Sequence, residues 1–323
     1  MTPARLWLAP MAGVTDRSFR ALCREQGCPA AVTEMVSAKA LRFGSQPTLD
    51  LVRPGEGEGF LAAQVFGRVP EDVAWAAAFL ADRGFPWIDL NMGCPAPKIT
   101  GNGEGSALLK DPPLAQRVAA AAVRAAGTPV SVKLRLGWDE AHINVVEMAR
   151  RLQDAGVALL AVHGRTTAQQ YGGRAAREWI ARAREAVSIP VLANGDVAEP
   201  RDALSLLADT GCHGVMVGRG AMGNPWLFRR IQALFAGETD PGLPAPAERL
   251  GLALRHLRLL VGDKGERVGV KEMRKHAAWY TRGLPGAAQV RVRINAAATL
   301  ADMEAVLLQY IMDMETMEGT RTT

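Results

Sequence analysis

Residues 190–220 read PVLANGDVAEPRDALSLLADTGCHGVMVGRG, and this stretch decides the fold. Its apolar runs Pro190 to Asp196 and Gly214 to Gly220 predict two buried strands, and the segment Pro200 to Asp209 between them has helical periodicity. Two strands joined by a helix form a parallel pair within one sheet. The stretch therefore predicts a strand-helix-strand unit with a glycine-containing turn after each strand.

The same alternation covers most of the chain, with eight strands over roughly 240 residues. This length and pattern predict an α/β fold of the TIM-barrel, (β/α)8, type. A doubly wound open sheet is the alternative, although such sheets usually have fewer strands. The six other predicted strands are Leu6 to Pro10, Ala30 to Glu34, Leu61 to Gly67, Trp87 to Gly93, Val130 to Gly137 and Ala158 to Gly164. The other predicted helices are Pro70 to Arg83, Pro112 to Ala126, Val145 to Ala155 and Trp179 to Val187.

The composition changes after Phe235. Gly237 to Pro246 is rich in Gly and Pro and predicts a linker, and beyond it only helical patterns follow. We therefore predict a barrel domain over residues 1–240 and a C-terminal all-α helical bundle over residues 241–323. The predicted helices of the bundle are Arg249 to Val261, Val270 to Arg282 and Ala296 to Thr316.

The positive charge is concentrated in the C-terminal region. Between Arg249 and Arg293 there are eleven Lys or Arg against three acids, a local +8, which leaves 5 − 8 = −3 for the rest of the chain. This asymmetry favours an anionic partner such as nucleic acid, and a solvated basic surface is the alternative. If residues 267–284 are helical, one face carries Arg267, Lys271, Arg274 and Lys275, and another carries Met273, Ala277, Tyr280 and Leu284.

The N-terminus and the cysteines predict a reduced, cytoplasmic protein without a membrane segment. The start, MTPARLWLAPMAG, has one Arg and a short apolar stretch, which supports neither a signal peptide nor a membrane helix. The four cysteines form no CxxC pair, so we expect neither a disulfide framework nor a metal site. They are Cys23, Cys28, Cys94 and Cys212.

Polar residues collect where the predicted strands end, which is where barrel enzymes place their chemistry. Loops after the seventh and eighth strands commonly bind phosphate, and glycines there let backbone N–H groups approach it. The motif Gly218-Arg219-Gly220-Ala221-Met222-Gly223 matches GxGxxG but follows the last strand, so a phosphate loop is the better interpretation. The strand-end residues are Met11, Glu34, Gln64, Asn91 with Cys94, Lys133 with Arg135, His163 with Arg165, Asn194-Gly195-Asp196 and Gly218-Arg219-Gly220.

Two of these residues suggest specific chemistry. Lys133 lies inside a predicted strand, where it could form a Schiff base or could place a cation beside the pyrimidine edge of a flavin. His163 could donate to the same ring or phosphate. Cys94 lies in a loop bounded by Gly and Pro and is followed by the glycine-rich stretch 101–105, which suggests a flexible lid.

These motifs together resemble the tRNA-dihydrouridine synthases, particularly the bacterial B-type branch. The matching strings span nearly the whole predicted barrel and continue into Met273-Arg274-Lys275-His276 of the bundle. Pro97 and the glycines after Cys94 depart from the pattern of that branch. The strings in the barrel are APMAGVTD (9–16), QVFG (64–67), NMGCP (91–95), GSALL (105–109), VKLR (132–135), VHGRT (162–166), NGD (194–196), VGRG (217–220) and GNPW (223–226).

The resemblance implies an oxidoreductase in which NADPH reduces FMN, and the flavin then reduces a uridine in the D-loop region of tRNA to 5,6-dihydrouridine. Cys94 would act as the general acid at C5. Asn91 and Arg165 would contact the uridine, and Lys271, Arg274 and Lys275 would bind tRNA. The implied FMN contacts are Pro10, Met11, Ala12, Gln64, Lys133, His163, Asn194, Gly195, Asp196, Gly218 and Arg219.

Three other functions remain open from the residues. The barrel could reduce a small molecule with FMN, as dihydroorotate dehydrogenases do, although the basic region would then have no role. It could be a lyase that uses Lys133 as a Schiff base, or a non-catalytic RNA-binding protein. The sequence does not decide which uridine is reduced, and NADPH over NADH rests on the resemblance.

Overall fold

The computed structural model describes residues 4–55 and 57–319. Within them, eight parallel strands close into a barrel, because strand β1 pairs with both β2 and β9 while β2 also pairs with β4. The predicted TIM barrel is confirmed, and an additional two-residue strand, β3, pairs with β4. The strands are β1 (Leu6–Leu8), β2 (Ala30–Val32), β3 (Val36–Ser37), β4 (Phe60–Phe66), β5 (Trp87–Met92), β6 (Val130–Arg135), β7 (Leu159–His163), β8 (Val191–Asn194) and β9 (Gly214–Val217).

Local sequence explains where the helices begin. Asp111 caps the helix that starts at Pro112, because its Oδ1 accepts a hydrogen bond of 3.0 Å from the Leu114 N–H, and Glu199 and Asp202 form a capping box. The helices up to residue 210 are α1 (Arg17–Glu25), α2 (Ala38–Arg42), α3 (Gln46–Leu51), α4 (Pro70–Ala81), α5 (Pro97–Thr100), α6 (Pro112–Ala126), α7 (Val145–Asp154), α8 (Arg177–Glu185) and α9 (Pro200–Thr210).

Aromatic side chains fill the amino-terminal end of the barrel. Phe60 and Trp87 are the first residues of β4 and β5, and both pack edge to face on Trp7, with ring centroids 5.2 and 6.4 Å away. Small residues such as Ala30, Ala62 and Ala161 surround the three rings. With that end packed, the carboxyl ends of the strands remain for a site.

The chain divides into two compact units. The barrel unit comprises the residues up to Arg20 and Cys28–Gly220, and the helical unit comprises Ala21–Gly27 and the residues from Ala221 onward. Trp226 belongs to the apolar core of the helical unit, which explains why this unit begins before the Gly- and Pro-rich stretch. The functional division at residue 240 stays a prediction, because compactness does not say which residues bind a ligand.

The helical unit has an apolar core built from four long helices. Leu257, Met273, Ile294 and Leu307 contribute one buried side chain from each of them. The predicted bundle is thus present, with two helices of this unit, α10 and α13, that the sequence pattern did not reveal. The helices are α10 (Leu227–Phe235), α11 (Pro246–Lys264), α12 (Glu266–Tyr280), α13 (Ala287–Ala296) and α14 (Leu300–Gly319). None of the helices in the described part of the chain is long and apolar enough to cross a membrane.

Two histidines are buried together in this unit. The rings of His256 on α11 and His276 on α12 lie 4.4 Å apart, and both side chains are fully buried. Burial, followed by the nearby His256, Lys275 and Lys264, holds the pKa of His276 well below its usual range. The folded unit therefore keeps this imidazole neutral at a pH where an unfolded chain would charge it.

Acidification is expected to destabilise the protein through the His276 imidazole. Below about pH 6.5 His276 binds a proton in the unfolded chain but not in the folded unit, so it lowers the free energy of unfolding by about 1.4 kcal/mol per pH unit. Urea unfolding between pH 7.5 and 5.5 measures this slope. His276→Phe should reduce the slope without removing it, because burial also lowers the pKa of His163. Equal slopes for both proteins would contradict the account.

Candidate active site

Gln64 on β4 and Asn91 on β5 meet at the carboxyl end of the barrel. Asn91 Nδ2 donates to Gln64 Oε1 over 2.9 Å, and Asn91 Oδ1 accepts from the backbone N–H groups of Gly93 and Cys94 at 3.1 and 2.9 Å. Cys94 is half-buried, and its carbonyl accepts bonds from the N–H and the hydroxyl of Ser106. The thiol is thus carried on a loop that is held from both sides.

Lys133 lies beside Asn91 in the strand register of β5 and β6. Burial, assisted by the nearby Arg135, lowers the pKa of Lys133 to about 8, while the charges of Asp89 and Cys94 oppose the change. Among the described residues, none accepts a hydrogen bond from its ammonium group. A desolvated cation without such a bond favours an anionic or electron-rich ligand.

Arg135 holds the loops rather than facing a ligand. Its guanidinium donates to the carbonyls of Gly93, Thr166 and Gln170 over 2.7 to 2.9 Å. The Gly93 carbonyl belongs to the loop that carries Cys94. Arg135 therefore connects the β5 loop to the loop that follows β7.

His163, at the end of β7, is neutral and oriented. Burial, with Lys133 and the three nearby arginines, holds its pKa well below the usual range. Arg165 lies 3.4 Å from His163 Nε2, and because a guanidinium only donates, this nitrogen accepts and the proton sits on Nδ1. The Nδ1–H group is then available as a donor to a ligand.

Asp196 organises the loop after β8. Its carboxylate accepts from the Ala175 N–H at 2.8 Å, pairs with Arg165 at 2.8 Å and with Arg219 at 3.4 Å. Burial alone would raise the pKa of Asp196, but these three donors outweigh it and hold the pKa below its usual value. Asn194 donates to the Met216 carbonyl over 2.7 Å, which joins β8 to β9.

The predicted substrate residue Arg165 is almost fully engaged within the barrel unit. It is 2% exposed and also donates to the carbonyls of Gly172 and Gly173 at 2.9 and 2.7 Å. Arg219 is about half-exposed, with its guanidinium carbon 5.0 Å from the ring centre of Tyr171. Of the two arginines, Arg219 has the freer guanidinium.

The β1 loop brings backbone groups to the same end of the barrel. The Thr15 hydroxyl accepts from the Met11 N–H over 2.8 Å, and the Met11 carbonyl accepts from the N–H groups of Val14 and Thr15. Glu34 is buried and accepts a hydrogen bond from the Gly13 N–H, so this acid has a structural role in the β1 loop. Pro10 and Met11 are half-exposed and Ala12 is exposed, so the loop surface is accessible.

Gly195 and Gly218, in the predicted phosphate loops, differ in whether backbone conformation and packing exclude a side chain. Gly195 has a φ of 133°, and a Cβ there would lie 2.8 Å from the Ala175 Cβ and 3.3 Å from a His163 ring carbon. Gly218 lies outside the left-handed region, and a Cβ there would approach nothing closer than 3.7 Å. The fold therefore requires Gly195, whereas neither backbone nor packing explains Gly218.

This contrast predicts different stability changes for two equivalent substitutions. Gly195→Ala is expected to lower the free energy of unfolding by about 1–3 kcal/mol, because it adds backbone strain and two close contacts. Gly218→Ala is expected to change it by less than about 0.5 kcal/mol. Urea unfolding of both variants measures the difference, and similar losses would show that the site geometry is wrong.

The predicted RNA-binding residues lie on α12 of the helical unit. Arg267 and Lys271 are exposed, and Lys275 is half-buried. Arg274 is half-buried and donates to the Ala297 carbonyl over 2.8 Å, so its guanidinium also caps the end of α13. The predicted apolar face is confirmed, since Met273, Ala277, Tyr280 and Leu284 are buried, although α12 ends at Tyr280.

Comparison with known proteins identifies the family. The family model described as Dihydrouridine synthase (Dus) matches residues 7–315. The chain belongs to the dihydrouridine synthase family. The resemblance found in the sequence is confirmed, and with it the prediction that the chain is an oxidoreductase of this family.

Several relatives of the family are similar over most of their length. A tRNA-dihydrouridine synthase B from Pseudomonas aeruginosa is 44% identical over 295 residues, which cover 91% of this chain and 88% of the relative. A protein of the same name from Xanthomonas campestris is 42% identical over 305 residues, covering 94% and 91%. In fold, the chain is similar to the old yellow enzyme homologue from Zymomonas mobilis, with a TM-score of 0.55 and 14% identity over 75% of this chain and 90% of that one.

Sequence patterns missed two residues that contact the candidate site. Tyr171 is 54% exposed and lies in the loop after β7, against Arg219 and Arg135. Asp89 is buried inside β5 and accepts from Gln64. An acid between Ile88 and Leu90 in an apolar run was a usable signal for Asp89, but nothing in the sequence marked Tyr171.

The segment after Cys94 has short helices on both sides of the glycine-rich stretch, and its role as a lid stays a prediction. Pro97 occupies the first turn of α5, where its missing N–H is tolerated, and residues Gly105–Lys110 form a 3-10 helix. Ser106 in that helix bonds back to Cys94. The site thus combines a held thiol, a half-buried lysine, a neutral histidine and glycine-rich loops, a set that suits reduction followed by protonation of a polarised double bond.

Proposed function

We propose that this chain is a flavin-dependent tRNA-dihydrouridine synthase that uses FMN and NADPH. It would reduce the C5–C6 bond of specific uridines in the D-loop region of tRNA. The observation that carries the proposal is that Asn91, which holds the Cys94 loop, is the register partner of Lys133 at the carboxyl end of a barrel of this family. The tRNA substrate follows from the names of the relatives.

The residues present fit FMN. Gly218 leaves open the space that a Cβ would fill, which suits close approach of a phosphate to the backbone, and Arg219 offers a partly exposed guanidinium. The Lys133 ammonium group and the amide of Gln64 would meet the polar edge of the ring system. When bound, FMN would supply the hydride for C6 of the uracil. The other predicted FMN residues, Pro10, Met11, Ala12, His163, Asn194, Gly195 and Asp196, remain proposed contacts.

Protonation is the part of the reaction that the protein's own side chains would perform. The 5,6 double bond of uracil is conjugated to the C4 carbonyl, so addition at C6 is completed by a proton at C5. The Cys94 Sγ–H would give that proton, and solvent would return one to the sulfur. The second N–H of Asn91 Nδ2 donates to Met35 Sδ over 3.5 Å, a weak acceptor that a uracil oxygen would replace, while Asn91 Oδ1 keeps the Cys94 loop in place.

Access to the base requires its extrusion from folded tRNA, which costs a few kcal/mol. The positive stretch between residues 249 and 293 would supply the compensating binding energy through phosphate contacts, with Lys271, Arg274 and Lys275 among them. Cytoplasmic location, the division at residue 240 and the substrate role of Arg165 belong to the same proposal.

Charge reversal on α12 is expected to weaken tRNA binding. Lys271→Glu with Lys275→Glu should raise the Kd roughly ten- to hundredfold at low salt and reduce the salt dependence, because two phosphate contacts become repulsive. Arg117→Glu with Arg124→Glu, on exposed positions of α6, makes the same change in net charge and is the control. Filter binding measures both. Equal affinities for the two double variants would place the tRNA elsewhere.

The reaction itself tests the proposal. The purified protein, supplied with FMN and NADPH, is incubated with tRNA transcribed without modifications, and dihydrouridine is quantified by mass spectrometry of the nucleosides. The expected result is dihydrouridine that depends on FMN, on NADPH and on intact Cys94. If flavin reduction proceeds with NADPH and no dihydrouridine forms with any tRNA, the substrate is a different one.

A further inference from the structure

A directional chain of hydrogen bonds connects a buried acid to the backbone of the Cys94 loop. Asp89 Oδ2 accepts from Gln64 Nε2 over 2.6 Å, Gln64 Oε1 accepts from Asn91 Nδ2 over 2.9 Å, and Asn91 Oδ1 accepts from the N–H groups of Gly93 and Cys94. The three side chains are 1 to 8% exposed. We call this chain the amide relay.

Both ends of the amide relay require the same direction. Backbone N–H groups only donate, so the atom of Asn91 that faces Cys94 has to be the oxygen. The nitrogen of Asn91 then faces Gln64, which must present its own oxygen. Gln64 consequently turns its nitrogen toward Asp89, and that nitrogen needs an acceptor.

An ionised Asp89 can take this position only as an acceptor, never as a donor. Its second oxygen, Oδ1, accepts from the Ser131 hydroxyl over 2.5 Å, and an ionised carboxylate has no hydrogen to donate. Burial raises the pKa of Asp89, while the hydrogen bonds from Ser131 and Gln64 and the charge of Lys133 act to lower it. The neighbours that oppose protonation are thus the same groups that orient the relay.

We propose that Asp89 is a positioning residue for Cys94: its carboxylate sets the direction of the amide relay and thereby holds the Cys94 loop in one arrangement. A flipped Gln64 would turn its N–H toward the N–H of Asn91 and force Asn91 to turn as well. The Cys94 N–H would then lose its acceptor. The proposal rests on the proposed function in taking Cys94 as the proton donor, but the relay itself is a property of the chain alone.

The test measures the Cys94 thiol directly, without cofactor or tRNA. Cys23, Cys28 and Cys212 are buried and Cys94 is half-buried, so iodoacetamide under native conditions should label Cys94 selectively, as peptide mass spectrometry can verify. Asp89→Asn gives position 89 both a donor and an acceptor, so the buried end no longer specifies the relay direction and only the N–H groups of Gly93 and Cys94 still do. We expect Cys94 alkylation to become roughly two- to tenfold faster, the range produced by losing one ordinary hydrogen bond.

A double-mutant cycle separates positioning of the Cys94 loop through Asn91 from a general destabilisation of the barrel unit. If Asp89 acts through Asn91, Asp89→Asn should add nothing to the alkylation rate in an Asn91→Ala background. An effect of the same size in both backgrounds, or none in the native background, overturns the proposal. Glu58→Gln, a buried carboxylate-to-amide change at the Arg20 ion pair of the same unit, is the control and should leave the rate within about twofold.

A variant that fails to fold does not end the test. Gln64→Met interrupts the amide relay at its middle and leaves the charge of Asp89 unchanged, and it should accelerate Cys94 alkylation to the same extent as Asp89→Asn. An unchanged rate in folded Gln64→Met overturns the proposal. Since alkylation requires no FMN, NADPH or tRNA, failure here is distinguishable from failure of the proposed reaction.

Discussion

Cys94→Ala is expected to slow oxidation of the NADPH-reduced enzyme by tRNA by about 10²–10⁴-fold, the usual contribution of a positioned general acid. Reduction of the enzyme by NADPH should keep its normal rate, because that step needs no proton from Cys94. Asn91 and Ser106 bind the backbone of Cys94 rather than its sulfur, so removing the thiol should leave the loop in place. Anaerobic stopped-flow absorbance at the flavin band measures the two steps separately.

Two further variants test whether the effect comes from the acidity of the Cys94 thiol. Cys94→Ser keeps the shape of the side chain but replaces the thiol with a much weaker acid, and it should lose most of the same rate. Cys212→Ser changes a buried cysteine at the end of α9 and should leave the tRNA step near its normal rate. A Cys94→Ala enzyme that reduces uridine at full speed would remove Cys94 from the reaction.

Lys133→Met is expected to slow reduction by NADPH roughly 10²–10³-fold, the effect of removing one preorganised electrostatic partner. The Lys133 cation would stabilise negative charge on the bound cofactor, and methionine keeps the length of the side chain without its charge. Because burial lowers the pKa of Lys133 to about 8, its charge is present below that pH and is lost as pH rises through it. The rate in the unsubstituted enzyme should therefore fall above about pH 8, while Lys133→Met should not show this fall.

The control for Lys133 is a lysine of the same unit outside the site. Lys110 lies over the ring of Trp138 at 3.4 Å and is exposed, so Lys110→Met should retain both the NADPH rate and its pH dependence. Lys133 was also compatible with Schiff-base chemistry. A borohydride-trapped adduct at Lys133 with normal flavin reduction in Lys133→Met would favour that chemistry instead.

The barrel was predictable because its signal is repeated eight times and does not depend on long-range contacts. Runs such as Ala158 to Val162 are apolar on both faces, as strands covered by helices on one side and packed inside on the other must be. The short helices α2 and α3 and the two-residue strand β3 carry too few residues for a periodicity to show. α13 was hidden for a related reason, since only Val290 and Ile294 along it are buried.

The sequence indicated which polar residues lie at the carboxyl end of the barrel, but it did not indicate which hydrogen bonds they make. Gln64, Asn91, Lys133 and His163 stand out in the sequence because polar residues interrupt apolar runs at the ends of strands. Sequence spacing cannot say that the Arg165 guanidinium is occupied by backbone carbonyls more than six residues away, because those bonds depend on how a loop folds. Asp89 was overlooked for the opposite reason, since it lies within the strand rather than at its end.

The most direct measurement of the central claim is an anaerobic absorption titration of the FMN-loaded protein. The account predicts that NADPH bleaches the flavin band and that unmodified tRNA then restores it, with dihydrouridine appearing in proportion. A protein that cannot take up FMN, or a bleached flavin band that unmodified tRNA fails to restore, would contradict the account.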